Sequence, residues 1–370
     1  MTLPSILFYI LIGVVSIQVA YYLSFLFSFA IKRAETRLKK NIPISIIICA
    51  KNEAENLKNN LPLILNQEYS NFEIVLVNDS SSDNTLKIMK EFEAKHNNIT
   101  VVDVKTNETF WGNKKYALTL GIKASKYDFL VFTDADCIPN SNKWLAHISG
   151  NFSNQKSIVL GYGAYSKKRF SFLNKLIRFE TVLTALQYFS YSNLGMPYMG
   201  VGRNMAYRKE LFFNNSGFNN HMSIKSGDDD LFINEVANKT NTSICFTSDS
   251  FTVSEPKASF KAWILQKRRH ISTAKYYKLK HKFFLGLFYT SQLLFWILGI
   301  VLILLGYNWQ WVLAVILLRF FVQLLCFGFT SKKLGEVDLI ILSPILELFL
   351  ITTQLSIFIA NLISKPKHWK

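Results

Sequence analysis

Residues Tyr127 to Pro139, YDFLVFTDADCIP, set an apolar run, Phe129 to Phe132, against an abrupt polar stop at Thr133. A short run of aromatic and β-branched residues that ends so sharply predicts a strand buried on both faces. Asp134 and Asp136 then stand at its C-terminal tip. In an open α/β sheet, ligands bind outside the carboxyl ends of the strands, where loops vary while the sheet stays rigid. Two residues apart in extended geometry, the two carboxylates point the same way, toward one divalent cation or one cation and a ligand hydroxyl. Two solvated carboxylates in a polar loop would read the same way, so context has to decide.

The sequence upstream repeats the pattern. Ile44 to Cys49 (ISIIIC) is a continuous apolar run, followed by the polar turn Ala50 to Asn56 and a helix through Leu65. Phe72 to Val77 (FEIVLV) is a second strand, and Asn78 to Thr85 (NDSSSDNT) a loop of helix-capping side chains before a helix through about His96. A third strand, Thr100 to Val104, and a helix, Lys114 to Ser125, lead back to the acidic triplet. Four alternations of strand and helix predict an α/β fold with a doubly wound sheet.

Half of the 370 residues are apolar and 31 are Phe, an excess concentrated at the two ends of the chain. Met1 to Ile31 carries no charge, is too long for a signal-peptide apolar region and lacks a basic leader, which predicts a membrane-spanning helix. Further spans are expected at about Phe283 to Tyr307, Trp311 to Phe329 and Leu339 to Ser364. The net charge of +17 comes largely from membrane-proximal cations: Lys32, Arg33, Arg37, Lys39 and Lys40 after the first span, and Lys275, Lys278, Lys280 and Lys282 before the second. That is a positive-inside pattern rather than a nucleic-acid footprint, and it puts the middle of the chain in the cytoplasm. Cys49, Cys137, Cys245 and Cys326 show no paired spacing, as expected of a reducing compartment, and the sequons at Asn98 and Asn107 then carry no meaning. Expected domains are an anchor over 1–31, a cytoplasmic domain over 32–257, an amphipathic interface segment over 258–282, a membrane region of about three helices over 283–364 and a basic tail over 365–370.

From Ile42 to Tyr277 the chain resembles the inverting, GT-A-fold glycosyltransferases of the membrane-anchored family-2 type. IPISIIICAKNEAENL resembles the family's opening strand and N-E turn, and EIVLVNDSSSDNT its second strand with a D-x-S-x-D loop. KKYALTLG resembles its K-x-x-A-L-N-x-G helix, with Thr119 where Asn is usual; FTDADCIP is similar to its D-x-D strand. GVGRNMAYRKELF and SGDDDLF resemble its G-x-x-x-A-Y-R and G-E-D-x-x-L segments, and Gln266, Arg269 and His270 its Q-x-x-R-W motif with His in place of Trp. Seven motifs stand in the family's order.

The resemblance implies a GT-A nucleotide-sugar-binding domain flanked by transmembrane helices in a bacterial cytoplasmic membrane. It also implies a donor, such as a UDP-sugar, and a lipid or glycan acceptor. Nucleotide-sugar contacts are expected from Glu53, Asp79, Lys114, Asp134, Gln266 and Arg269, and acceptor contacts from Asp228 and His270. Asp136 is the expected ligand of Mg2+ or Mn2+. Glu53 and Asp79 have a plainer reading as helix caps, and Lys114 as a solvated surface lysine. Asp228 to Asp230 repel one another, which raises a carboxyl pKa and suits a base; the resemblance narrows the choice to Asp229, whose plainer reading is an acidic helix N-terminus. Gln266, Arg269 and His270 share one helical face by their spacing, and Arg supplies the planar fork that phosphate recognition favours. A single transfer to a lipid or lipid-linked glycan is the leading expectation. A processive polysaccharide synthase and, from another class, an inactive membrane scaffold or glycan-binding subunit are the rivals.

Ser171 to Ser192 carries an apolar stripe after Lys167, Lys168 and Arg169. It reads equally as a helix on an anionic membrane surface or as an ordinary core helix; Phe260 to Tyr277 is similar. Arg319 lies inside the third span, where a charge costs about 2.5 to 3.5 kcal/mol on insertion scales. Counted at about 1.5 Å per residue, Arg319 and Glu347 reach similar depths of roughly 14 to 17 Å, which predicts an ion pair; the alternative partner is a lipid phosphate or a glycan. Four spans that start outside end outside, in conflict with the tail cations Lys365, Lys367 and Lys370, and a break at Pro344 would resolve the conflict.

Overall fold

The computed structural model describes residues 2–33, 40–105, 114–224 and 226–364. The expectations on Arg37, Lys39, Asn107 and the tail lysines fall outside them. Two compact units emerge. One comprises residues 40–168 and 195–276, the other 2–33, 169–194 and 277–364.

In the first unit the strands are β1 (Ile44–Ala50), β2 (Phe72–Asp79), β3 (Ile99–Val104), β4 (Phe129–Asp134), β5 (Cys137–Pro139), β6 (Ile158–Leu160), β7 (Gly163–Tyr165), β8 (Met205–Arg208), β9 (Thr242–Ile244) and β10 (Thr252–Ser254). Among the described residues, one sheet has the order β3-β2-β1-β4-β8-β6-β9, and a small second sheet the order β5-β10-β7. β3, β2, β1 and β4 run parallel, with Cys49 opposite Asp134 at the tips. The chain builds outward from β1 through β2 to β3, then returns to the other side of β1 for β4, so the strand order reverses between β1 and β4. A crevice opens at the carboxyl ends where such a reversal occurs.

Both faces of the parallel half are covered, which is why its strands are continuously apolar. Ile44, Ile46, Ile48, Ile74 and Leu76 pack with Leu57, Leu61, Ile64 and Met89 of the helices Ala54–Leu65 and Thr85–Glu93. The helix Lys114–Ala124 lies on the opposite face. It approaches so closely that a Cβ at Gly121 would meet Val77 Cγ2 at 2.6 Å and Ile47 Cγ2 at 3.3 Å. β8 runs antiparallel to β4 and to β6. This mixed half has no counterpart in the sequence reading, because strands of three or four residues are too short to show a period.

The second unit contains four helices long and apolar enough to cross a membrane: Leu3–Ala30, Leu279–Leu304, Trp309–Lys333 and Ser343–Ile363. The first ends in a π-helical turn, Leu26–Ala30. Pro344 sits in the first turn of the last helix, where a missing N–H costs nothing, so it starts that helix instead of breaking it. The helix Phe172–Asn193, capped by Ser171, belongs to this unit, and Phe179 packs on Phe327 of the third apolar helix at 5.1 Å between centroids. Most of its side chains are buried within this unit. Its Arg178 is buried and donates from Nε to Glu336 at 2.9 Å and from Nη1 to Asp338 at 3.0 Å.

Arg319 and Glu347 form the expected ion pair, fully buried, with Arg319 Nη1 at 2.8 Å from Glu347 Oε2. All four apolar helices converge on it. Gln292 and Gln323 donate to Glu347 at 2.8 and 2.7 Å, and Arg319 Nη2 donates to Gln18 Oε1 at 3.1 Å. In an apolar medium each of these groups would be costly alone, and each is given a partner.

Candidate functional site

The site is assembled at the carboxyl ends of β1, β2 and β4. β4 delivers Asp134, and the turn into β5 delivers Asp136 and Cys137. One ligand atom from each of these three residues lies within 4.8 Å of the others, close enough for a single metal ion. The thiol of Cys137 donates to Asp136 Oδ1 at 3.4 Å, and its burial, followed by repulsion from both carboxylates, holds it well above the usual thiol range. Burial and the neighbouring Asp134 raise Asp136.

Lys114, the first residue of its helix, reaches across to Asp134 at 2.8 Å and to Asp228 at 3.4 Å. Burial alone would lower its pKa; the carboxylates of Asp134 and Asp228 outweigh it and hold the ammonium well above its ordinary range. It is thus no free surface lysine. The residues of two distant sequence motifs meet on one cation.

Gly227, at φ +94°, turns the chain into the acidic triplet, a conformation that side chains resist. Asp229 caps the helix Asp230–Val236. Its Oδ1 accepts from the Asp230 N–H at 2.7 Å and its Oδ2 from the Gly202 N–H at 2.8 Å. Even so, burial and repulsion from Asp228 and Asp230 raise its pKa to about 7. Asp230 accepts from the Thr273 hydroxyl, which ties the acidic triplet to the helix Phe260–Thr273.

Asp79 ends β2 and is buried; burial raises its pKa, against the pull of Lys51 and Lys114. Glu53 Oε2 accepts from Asn56 Nδ2 at 2.6 Å. Helix capping falls instead to Asp83, which accepts from the Thr85 N–H at 2.9 Å and the Ala54 N–H at 3.3 Å, and is lowered in pKa by its Thr85 bonds although slight burial opposes them. Glu53 thus stands at the N-cap position of the helix Ala54–Leu65 without a side-chain cap bond, its carbonyl accepting from the Leu57 N–H at 2.9 Å, while Asp79 ends β2 and is separated from the helix Thr85–Glu93 by residues 80–84. Gln266, Arg269 and His270 lie on the helix Phe260–Thr273, Arg269 within the field of Asp228. His270 is exposed to solvent. Desolvation by the surrounding protein and then the cations Lys267, Arg269, Arg203 and Lys114 lower its imidazole from the ordinary range.

Two residues of the site had no distinguishing signal in the sequence. Arg203 donates to the Gly163 and Ala164 carbonyls at 2.8 and 3.0 Å and to Ser254 Oγ at 2.6 Å, with its guanidinium 4.1 Å from the centre of the Tyr165 ring. Burial disfavours its charge, but Tyr165, Cys137, Asp136 and Asp134 more than compensate. Lys115, 1% exposed, donates from Nζ to the carbonyls of His221, Ile224 and Ser226 at 2.7, 3.0 and 2.8 Å, gripping the loop that precedes the acidic triplet. Desolvation lowers its pKa to about 8 in spite of Asp228, Asp230 and Asp229 nearby.

Comparison with known proteins agrees with this geometry. Residues 45–214 match the family model "Glycosyl transferase family 2", and residues 150–326 match "Glycosyl transferase family group 2". A poly-beta-1,6-N-acetyl-D-glucosamine synthase of Staphylococcus epidermidis is 37% identical over 95 residues, 26% of this chain and 22% of the relative. The protein of the same name in Staphylococcus aureus strain COL is 34% identical over the same extent. The match thus spans about a fifth of the length of these curated relatives. Among solved structures, the mannosyltransferase PcManGT from Pyrobaculum calidifontis, in complex with GDP-Man and Mn2+, superposes with a TM-score of 0.60 at 16% identity, covering 94% of this chain and 99% of that one, which establishes a shared fold.

Proposed function

Because the chain belongs to the family-2 glycosyltransferases, we propose that it is an inverting enzyme that moves a sugar from a nucleotide-sugar, such as a UDP-sugar, to a lipid or lipid-linked glycan. The observation that carries this reading is the Lys114 ammonium bridging Asp134 and Asp228, since it joins the D-x-D turn and the acidic triplet in one site.

The donor set fits Mg2+ or Mn2+. Asp136, with Asp134 beside it, offers the hard carboxylate oxygens that these ions prefer. When bound, such an ion neutralises charge on the donor's diphosphate. Glu53 and Asp79 hold the nucleoside by accepting its N–H and O–H hydrogens. Lys114 and Arg269 answer the diphosphate, Lys114 as a point charge and Arg269 as a fork, with Gln266 beside it on the same helix. Asp229, with a pKa of about 7, takes the acceptor hydroxyl's proton. The acceptor oxygen bonds to the anomeric carbon as the carbon–diphosphate bond breaks and the nucleoside diphosphate leaves, and this single displacement inverts the centre. Asp228 and His270 orient the acceptor; the imidazole can stack on a sugar, a weaker platform than indole.

The protein is a membrane protein. The flanking cations support a cytoplasmic catalytic region over 32–257 in a bacterial cytoplasmic membrane, an interface segment over 258–282, membrane helices over 283–364 and a basic tail over 365–370. A second reading, a processive synthase, is favoured by the polysaccharide synthases among the relatives.

The test is nucleotide release from a panel of sugar nucleotides with Mg2+ or Mn2+, by purified wild type and Asp229→Asn in native lipid extract, with product length measured. Lipid-dependent release that Asp229→Asn abolishes, with one sugar per acceptor, supports single transfer. Long products support the synthase. Absence of release with intact nucleotide binding refutes the proposal.

A further inference from the structure

Phe170 is 93% exposed and adopts φ +59°, left-handed backbone in which a bulky side chain is an outlier. It stands just before the helix cap: Ser171 Oγ accepts from the Asn174 N–H at 3.1 Å. An apolar residue there ordinarily packs on the fourth helical residue. Here that residue is Lys175, so the helix has no staple for Phe170.

Its surroundings indicate what covers it. Two residues on, Phe172 meets Phe349 edge to face, with ring centroids 4.9 Å apart. Phe349 and Ile345 are 48% and 53% exposed, four residues apart on one face of the last apolar helix, and Ile341 in the turn before it is 89% exposed. On a helix of spanning length such a face meets lipid. Phe170 thus leaves the protein close to a lipid-facing stripe, near the start of a span. Before it come Lys167, Lys168 and Arg169, all exposed. The Arg169 guanidinium lies 5.8 Å from the Phe170 ring centre, and Lys168 meets Glu255 at 2.9 Å.

We propose that Lys167–Phe170 is an interfacial anchor: Phe170 enters the headgroup and upper acyl region of the bilayer, while Lys167, Lys168 and Arg169 bind the phosphates of anionic phospholipids. An aromatic ring at the headgroup level with cations beside it combines apolar burial with attraction to anionic lipid. The inference rests on membrane insertion alone and is independent of the reaction proposed above.

The experiment uses the full chain in nanodiscs of phosphatidylcholine, with or without phosphatidylglycerol. Phe170→Trp adds one indole, read as the difference from the parent protein. The added emission is expected to be quenched by lipid brominated near the glycerol end of its chains and shielded from aqueous acrylamide. With spin-labelled lipids, wild type is expected to enrich phosphatidylglycerol over phosphatidylcholine at its surface. Lys167→Gln/Lys168→Gln/Arg169→Gln should reduce that preference by about fivefold or more, each cation near a membrane surface contributing up to about that factor. All four positions are exposed, so the variants keep the fold, which elution and thermal melting check. An added indole open to acrylamide and untouched by brominated lipid overturns the proposal, as does an unchanged lipid preference in the triple variant.

Discussion

Replacing Glu347 by Gln removes a charge at nearly constant volume and leaves Arg319 without a counter-ion in a fully buried position among membrane helices. A guanidinium does not shed its proton in a protein. The structure supplies the terms of the magnitude. Breaking a buried pair from one side costs about 3 to 5 kcal/mol. Gln18 Oε1 at 3.1 Å and the Gln323 amide still face Arg319, which argues for the lower end, about 3 kcal/mol. Arg319→Gln/Glu347→Gln removes both charges and keeps amide groups for Gln18, Gln292 and Gln323 to pair with, so it costs less than the single variant, which strands one charge. The order is therefore that the single variant is less stable than the double. Reversible unfolding of the full chain in mixed detergent micelles gives the free energies, and the cycle with both single variants gives the coupling. Glu347→Gln within about 0.5 kcal/mol of wild type would refute the claim that the pair is sealed from water and lipid headgroups; so would a double variant worse than either single one.

Three other outcomes are expected. With Asp229 as base and its pKa raised to about 7, the rate depends on the unprotonated form, so kcat/KM should fall tenfold per pH unit below about 7 and level off above it. A pH–rate profile flat from 5 to 8 would exclude that role. Lys115→Met frees the loop before the acidic triplet and should lower kcat about 10²-fold, the scale of a 1 Å misplacement, while Lys115→Arg restores part of it. Nucleotide affinity measured by calorimetry should change little in both. Gly121→Ala places a methyl 2.6 Å from Val77 Cγ2 and should cost about 1 to 3 kcal/mol by overpacking, read as a drop in the midpoint of thermal unfolding.

The sequence by itself determined what repeats or what is chemically conspicuous. Continuous apolar strands separated by capping loops announced the parallel half of the sheet, because burial on both faces forbids alternation. Apolar runs of spanning length announced the four apolar helices, and the cost of a charge at membrane depth announced the pairing of Arg319 with Glu347. The acidic residues were visible because three adjacent carboxylates need a reason. The tertiary structure alone decided what depends on contacts between distant segments. β6, β8 and β9 are too short for a period, so they exist only through their partners. Arg203 and Lys115 look like any surface cation in the sequence, yet burial beside carbonyls and carboxylates makes them part of the site. Lys114 is one lysine among many until folding sets its ammonium between Asp134 and Asp228. Periodicity and cost are local and can be read along the chain. Which charge meets which across the crevice is fixed only when the sheet, by reversing its strand order between β1 and β4, brings their tips together.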